Sequence, residues 1–208
     1  MKCKPNHKPF NMGISLWLVP SAKDARRLST IMRARQDEYP NFPFSYPTFD
    51  PHITLASCPS SSAPSLSMIR AAIPKFEHGL FVKFKSVEIG THFFRSVYTT
   101  IAPLPALSAL HEEVHAKLGI EARTPLFPHM SLCYIDDRDA LLGERDKFLQ
   151  ELKDGGKIKE ADDGSGVSLN CGDLAGDWMD GFQATEIWVA NCDGPVEGWK
   201  IVDKVPLI

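Results

Sequence analysis

Two short motifs of the same form combine an imidazole with a hydroxyl. His52 and Thr54 lie in the run P-H-I-T-L, and His129 and Ser131 lie in the run P-H-M-S-L. Both runs are short and apolar and are typical of β-strands. Because side chains two residues apart in a strand point to the same face, each histidine is predicted to share a face with its hydroxyl.

Two such pairs facing one another would suit the hydrolysis of a cyclic phosphate. The reaction needs a base that activates water and an acid that protonates the departing oxygen, and histidine can act as either near neutral pH. The two hydroxyls can donate hydrogen bonds to the non-bridging oxygens of the phosphate. The residues leave the order of the roles open; we assign the base to His129 and the acid to His52. No metal and no other cofactor is expected.

The same order of elements precedes both motifs. A strand predicted at 13–19 ends at a proline and is followed by a helix and an irregular link to the first motif. A strand at 95–102 also ends at a proline, and a helix at 104–118 and a second link lead to the second motif. This repetition predicts two lobes related by a pseudo-twofold axis, with the motifs meeting across a cleft.

The predicted organisation is a single bilobal catalytic domain over 1–208, with its motifs at 51–55 and 128–132. Mixed helices and antiparallel strands place it in the α+β class. The remaining predicted elements are helices at 66–73 and 137–152, and strands at 80–89, 184–190 and 199–205. Residues 154–181 hold seven glycines and seven acidic residues. That composition predicts a mobile surface loop that can hold small local structure.

The first helix is predicted to begin at a capping box formed by Ser21 and Asp24. Its basic residues are expected to form a solvated face. They are Lys23, Arg26, Arg27, Arg33 and Arg35.

The composition restricts the class of partner. The chain has 208 residues and a formal net charge of −3, whereas proteins that grip duplex nucleic acid normally carry a strong basic excess. A small cyclic phosphate or the 3′ end of an RNA needs only local positive groups. We therefore expect such a ligand, no duplex nucleic acid, and a monomer.

The cysteines and the N-terminal residues indicate the compartment. Five cysteines, without any C-x-x-C spacing, favour free thiols over a disulfide framework. Residues 1–12 are polar and show no signal peptide, and the first apolar run is far too short to span a membrane. We expect an intracellular protein, in the cytoplasm, that does not associate with membranes.

The chain resembles the two-histidine phosphoesterase superfamily, whose signature is a pair of H-x-[ST] motifs. The runs G-I-S-L-W-L-V-P, P-H-I-T-L and P-H-M-S-L-C-Y are most similar to the fungal and plant cyclic phosphodiesterases. The resemblance extends from Ile14 to Ile208, with residues 154–181 as the divergent part. It implies a bilobal fold in which two antiparallel sheets with outer helices surround a central cleft.

The resemblance also implies an activity and a set of residues. Members hydrolyse ribose 2′,3′-cyclic phosphates to 2′-phosphates, and ADP-ribose 1″,2″-cyclic phosphate from tRNA splicing is a typical substrate. His52 and His129 are implied as acid and base, with Thr54 and Ser131 as phosphate binders. Tyr134 matches the tyrosine that follows the second motif, although strict alternation would turn it away from His129 unless the strand has a bulge or ends there.

Two further residues are candidates near the cleft. Trp17 is predicted to bind substrate by stacking on its base. Cys133 is predicted, by alternation, to share the face of His129 and Ser131 as a small filler.

Two other functions remain open. The run H-E-E-V-H at 111–115 fits the zinc-binding helix of metallopeptidases, in which two histidines one turn apart bind the metal. No glycine-containing extension with a third histidine follows it, and His111 lies on the apolar stripe of its helix. The other alternative is a cleft that binds nucleotide or RNA ends without turning them over.

Overall fold

The computed structural model describes residues 11–35, 42, 44–122, 127–172 and 176–208. Within these ranges the strands are Asn11–Pro20 (β1), Ile53–Cys58 (β2), Leu80–His92 (β3), Arg95–Ile101 (β4), His129–Cys133 (β5), Ile158–Glu160 (β6), Val167–Asn170 (β7), Trp178–Met179 (β8), Gly181–Asp193 (β9) and Lys200–Pro206 (β10). The α-helices are Ala22–Met32 (α1), Leu66–Ala72 (α2), Pro105–Leu118 (α3), Asp137–Leu141 (α4) and Glu144–Asp154 (α5).

Seven antiparallel strands form the main sheet in the order β1-β2-β5-β4-β3-β9-β10. A further pairing of β1 with β9 closes six of these strands into a ring. The predicted α+β class with antiparallel sheets is confirmed. The order is symmetric about the β2–β5 pair: β1, α1 and β2 on one side correspond to β4, α3 and β5 on the other.

Strand β1 shows why the two faces of the sheet differ. Leu16 and Leu18 point into the main core, which also takes in Ile53 of β2. Trp17 and Val19 point to the opposite face and belong to a second, smaller cluster. Alternation along one strand therefore separates the core beneath the helices from the face that carries the polar motifs.

The helix termini follow the predicted capping in two places and differ in a third. At the start of α1 the Asp24 amide donates to the Ser21 hydroxyl at 3.2 Å, which confirms Ser21 as the N-cap, and the Ser21 hydroxyl donates to the Asp24 carboxylate at 3.1 Å. Gly119 ends α3 in the left-handed conformation, with φ of 63°. The single helix predicted at 137–152 is wrong, because Gly143 adopts a φ of 83° and separates α4 from α5.

The segment 154–181, predicted as a mobile surface loop that can hold small local structure, contains three short strands among the residues described there. Strands β6, β7 and β8 form a small antiparallel sheet. Val167, Leu169 and Met179 belong to the main core. Arg27 of α1 holds the segment with a hydrogen bond from its Nε to Asp177 at 3.2 Å. Burial of these side chains stabilises a segment whose overall composition is that of a loop.

The solvated face predicted for the basic residues is wrong for Arg35, which is only 4% exposed. Its guanidinium is ion-paired with Glu144 and with Glu151 of α5. Arg26 and Arg33, in contrast, are exposed as expected.

Four of the predicted free thiols are described, and all are unbridged and buried. They are Cys58, Cys133, Cys171 and Cys192. The polar N-terminus used to argue against a signal peptide lies, up to residue 10, outside the described residues. None of the helices in the described ranges combines the length and apolar character that crossing a bilayer requires.

Candidate active site

The two motifs meet where β2 pairs with β5. Ile53 lies opposite Met130, so the antiparallel direction brings Thr54 towards His129 and His52 towards Ser131. All four side chains line one cavity of about 320 Å³.

The other residues of the cavity come from several strands of the ring and from the segments that connect them. The described lining residues besides the two motifs are Met12, Ser15, Trp17, Ser57, His92, Phe94, Arg95, Tyr134, Cys192 and Trp199. The cavity thus combines imidazoles and hydroxyls with a largely aromatic wall.

A β-bulge in β5 redirects the residues after the second motif. Tyr98 pairs with Ser131, but Val97, the residue before Tyr98 in β4, pairs with Cys133. Leu132 is therefore an extra residue and the side chains change face after it. Tyr134 lines the cavity, so the bulge that this assignment requires is present. Cys133 turns into the main core, so its predicted place beside His129 is wrong.

Strand β2 carries a matching bulge. Trp17 pairs with Thr54 and Leu16 pairs with Ala56, which leaves Leu55 as the extra residue. As a result Ser57 lines the cavity, five residues after His52. Tyr134 follows His129 at the same distance. Ser57 was missed in the sequence, and superposing the two motifs at this spacing is the signal that could have found it.

His52 is held on three sides. It is 7% exposed, its Nδ1–H donates to the Asp50 carbonyl at 2.7 Å, and its ring stacks on Trp17 at 3.9 Å. Phe49 meets the ring edge-on at 6.1 Å. The pKa of His52 is lowered to about 4, chiefly by burial and to a smaller extent by His129, while the hydrogen bond to Asp50 opposes both effects.

His129 is half-buried, and Tyr98 contacts its ring edge-on at 5.5 Å. His52 and His129 line the same cavity, and a positive charge on His129 lowers the pKa of His52. A pair of interacting histidines can exist with one ring protonated and the other neutral, as acid–base catalysis by two groups requires.

The two hydroxyls have different surroundings. Thr54 is half-buried at the cavity. Ser131 is 6% exposed and donates from its Oγ to the carbonyl of Phe94 at 2.7 Å. This bond ties the second motif to the turn between β3 and β4.

Tyr134 is 3% exposed and lies in a cluster of rings. It stacks on Phe49 at 3.9 Å and meets Phe94 edge-on at 5.3 Å and Trp199 at 6.2 Å. Burial raises the pKa of its phenol, which therefore stays protonated and able to donate a hydrogen bond.

Comparison with protein families accounts for nearly the whole chain. Residues 12–207 match the family described as cyclic phosphodiesterase-like protein. The chain belongs to this family. The match takes in both motif strands and the small sheet formed by β6, β7 and β8.

Two relatives of this cyclic phosphodiesterase-like protein carry enzyme names. One is the 2′,3′-cyclic-nucleotide 3′-phosphodiesterase of Yarrowia lipolytica, 25% identical over 230 aligned positions that cover 92% of this chain and 98% of the relative. The other is the cyclic phosphodiesterase of Arabidopsis thaliana, 27% identical over 138 positions that cover 66% and 71% of the two chains.

Solved structures share the fold. A phosphoesterase crystal structure superposes with a TM-score of 0.53 at 12% identity, covering 95% of this chain and 98% of its own. Escherichia coli LigT in complex with 3′-AMP gives a TM-score of 0.50 at 12% identity, covering 96% and 99%. These likenesses confirm the two-histidine phosphoesterase fold for this family member.

The structure gives Trp17 a different surrounding from the one predicted. It lines the cavity, but it is only 3% exposed and His52 covers one face of its ring. Its indole N–H donates to Ser15 at 2.9 Å. A side chain covered in this way is better suited to orienting His52 than to stacking on a base.

Several cavity residues lie outside any motif. His92, Phe94 and Arg95 come from the β3–β4 turn, and Cys192 and Trp199 come from the region of β9 and β10. They reach the cavity only because the ring of strands closes. The sequence carries no local signal for His92, Phe94, Arg95 and Cys192, whereas Trp199 is a candidate for base stacking by its residue type.

The H-E-E-V-H run lies on α3, away from the residues that line the cavity. His115 donates to the His111 carbonyl at 2.8 Å, and the His111 ring stacks on Phe127 at 4.0 Å. Across the described ranges, no third histidine, cysteine or carboxylate joins these two side chains in a group that could hold a metal ion. The pair therefore lacks the ligand set of a zinc peptidase.

Proposed function

We propose that this cyclic phosphodiesterase-like protein hydrolyses ribose 2′,3′-cyclic phosphates to 2′-phosphates by acid–base catalysis. The observation that carries the proposal is the pairing of β2 with β5, which gathers two imidazoles and two hydroxyls in one cavity. These four side chains supply a base, an acid and two hydrogen-bond donors without any other group.

In the proposed reaction His129 takes a proton from a water molecule, whose oxygen attacks phosphorus. The bond from phosphorus to the ribose 3′ oxygen breaks, and His52 gives its proton to that oxygen. The product carries its phosphate on the 2′ oxygen, and proton exchange with solvent restores both histidines. Thr54 hydrogen-bonds a non-bridging oxygen, where negative charge accumulates, and Ser131 does the same once its hydroxyl turns from the Phe94 carbonyl to the phosphate.

His52 must be protonated to act as the acid, although burial lowers its pKa to about 4. An anionic phosphate beside the ring favours the charged imidazole and opposes the effect of burial. A neutral His129, as the base must be, also removes the repulsion that lowers the pKa of His52 further. Substrate binding therefore raises the pKa of His52 and favours its acid form.

The proposed substrates share one reactive group, a cyclic phosphate that bridges two neighbouring oxygens of a ribose. A cavity of about 320 Å³ is the size of a small-molecule pocket and accepts one nucleotide unit. A nucleoside 2′,3′-cyclic phosphate, ADP-ribose 1″,2″-cyclic phosphate and an RNA 3′ end with a 2′,3′-cyclic phosphate all present this group. The name of the Yarrowia lipolytica relative supports the first, the name of the Arabidopsis thaliana relative supports a cyclic phosphate in general, and the 3′-AMP bound to LigT supports a nucleotide ligand.

The test is turnover of adenosine 2′,3′-cyclic phosphate in excess chelator, with product isomers separated by chromatography. We expect adenosine 2′-phosphate, a bell-shaped pH–rate profile, and no turnover by either His52→Ala or His129→Ala. ADP-ribose 1″,2″-cyclic phosphate and a short RNA with a cyclic end complete the substrate panel.

Three results would overturn the proposal. Near-wild-type turnover by either histidine variant would remove the acid–base pair. Loss of activity in chelator would point to metal chemistry, with His111→Ala and His115→Ala as the next variants. Binding of all three substrates without hydrolysis would make the protein a binding module for nucleotide or RNA ends.

A further inference from the structure

The cavity holds one permanent positive charge among the residues the structure describes around it. That residue is Arg95, and the same lining set includes no aspartate, glutamate or lysine. A guanidinium presents several N–H donors in a planar fork that matches phosphate oxygens. An arginine on the cavity wall is therefore suited to an anionic part of the ligand.

Arg95 lies to one side of the two motifs. Its guanidinium carbon lies 5.8 Å from the centre of the Tyr98 ring, and the same ring lies 5.5 Å from that of His129. The two groups are thus at most about 11 Å apart, with Tyr98 in contact with both. Glu88 accepts a hydrogen bond from the Tyr98 hydroxyl at 3.3 Å and is not among the residues that line the cavity.

The turn that carries Arg95 is anchored to the second motif strand. The Ile135 amide donates to Ser96 Oγ at 2.9 Å, and Thr100 of the same strand pairs with His129. Arg145 donates to the carbonyl of Gly90, on the other arm of the hairpin, at 3.3 Å. The backbone at Arg95 is therefore held in place relative to His129.

We infer that Arg95 is a specificity-determining residue that binds a second phosphate group of the substrate, separate from the cyclic one. The inference rests on the proposed function, in which the two motifs account for the cyclic phosphate. In a nucleotide, the ribose separates a 5′-phosphate or 5′-diphosphate from the 2′,3′ position. Arg95, spaced from His129 by the Tyr98 ring, contacts that phosphate.

The main experiment compares two substrates that differ in one group. These are adenosine 2′,3′-cyclic phosphate with a 5′-hydroxyl and the same compound with a 5′-phosphate. For Arg95→Ala we expect kcat/KM to fall about 10- to 100-fold with the 5′-phosphorylated substrate and less than about threefold with the other. Arg95→Lys, which keeps the charge but not the fork, should lie between wild type and Arg95→Ala.

Arg26→Ala is the matched control, because it also removes one positive charge but from the exposed surface of α1. It should leave both substrates unchanged. Thermal unfolding of each variant separates loss of binding from loss of folding.

A binding measurement makes the inference independent of turnover. Calorimetry with adenosine 2′-phosphate and adenosine 2′,5′-bisphosphate should show that Arg95→Ala weakens only the bisphosphate. If wild type hydrolyses neither substrate but this difference holds, the proposed function fails and the role of Arg95 stands. Two results would overturn the inference. An equal loss of affinity for both ligands would place Arg95 at the phosphate on the 2′ oxygen, and an unchanged affinity for both would mean that Arg95 does not contact the ligand.

Discussion

At the scale of single residues, the site depends on a buried histidine that favours its neutral form. His52 has a pKa of about 4 in the folded chain, against about 6.5 for an unperturbed histidine. Below pH 6.5 the unfolded chain binds a proton that the folded chain does not, so stability is lost as the pH falls towards 4. Above pH 6.5 His52 is neutral in both the folded and the unfolded chain, so it does not make the unfolding free energy depend on pH.

This difference predicts how stability depends on pH. Between pH 8 and pH 5 wild type should lose about 2 kcal/mol of unfolding free energy through His52. His52→Gln keeps the size of the side chain but cannot titrate, so it should show a correspondingly shallower dependence. Urea unfolding of both proteins at the two pH values measures the difference. Parallel curves would mean that His52 titrates normally.

Trp17 offers a second prediction, because its ring covers a face of His52. Trp17→Ala should raise the pKa of His52 towards 6.5 and lower kcat by more than about tenfold while KM changes less than about threefold. Trp17→Phe keeps a stacked ring and serves as the control. The His52 ring signals in NMR report the pKa. A raised KM with an unchanged pKa would instead support base stacking by Trp17.

The sequence predicted the site only where one rule acts over a few residues. Alternation within a strand was enough to put His52 with Thr54 and His129 with Ser131. Alternation gave the wrong face for residues beyond each motif, because both motif strands contain a bulge. The position of a bulge depends on the register of the neighbouring strand, as at Leu132, and a short run of sequence does not reveal it. Alternation could not reach Arg95, whose place depends on a turn far away in the chain.

At the scale of elements, α1 and α5 are joined by the buried guanidinium of Arg35. Its partner Glu144 is also buried and accepts a hydrogen bond from the Tyr46 hydroxyl at 3.0 Å. The sequence could not show this, because a basic residue beyond the end of a helix is usually solvated. The same kind of limit applies to the small sheet, where a few apolar residues outweigh a loop-like composition.

Removing the Arg35 side chain should strongly lower the unfolding free energy. Arg35→Ala leaves Glu144 buried without its ion-pair partner, so we expect a loss of about 3–5 kcal/mol of unfolding free energy. Arg33→Ala removes an exposed arginine two residues away and should change stability by less than about 0.5 kcal/mol. Urea unfolding at one pH compares the two variants. Equal effects would mean that the Arg35 ion pairs contribute nothing measurable.

At the scale of the whole molecule, the two halves share more than the cavity. Strand β9 pairs with β1 of one half and with β3 of the other, and the main core takes residues from both. The repeated order of elements was visible in the sequence, but the closure of the ring was not, because β9 lies outside both repeats. We propose that the two lobes form one domain that folds as a unit.

Coincident unfolding transitions would test this proposal. In Trp178→Phe the remaining tryptophans are Trp17 on β1, Trp188 on β9 and Trp199 beside β10. Their fluorescence reports one side of the ring, whereas far-UV circular dichroism reports the helices of both halves. Because the closed ring and common core couple the halves, both signals should change at the same urea concentration. Two separate midpoints would show that the lobes unfold independently and that the cavity opens before the rest of the chain is lost.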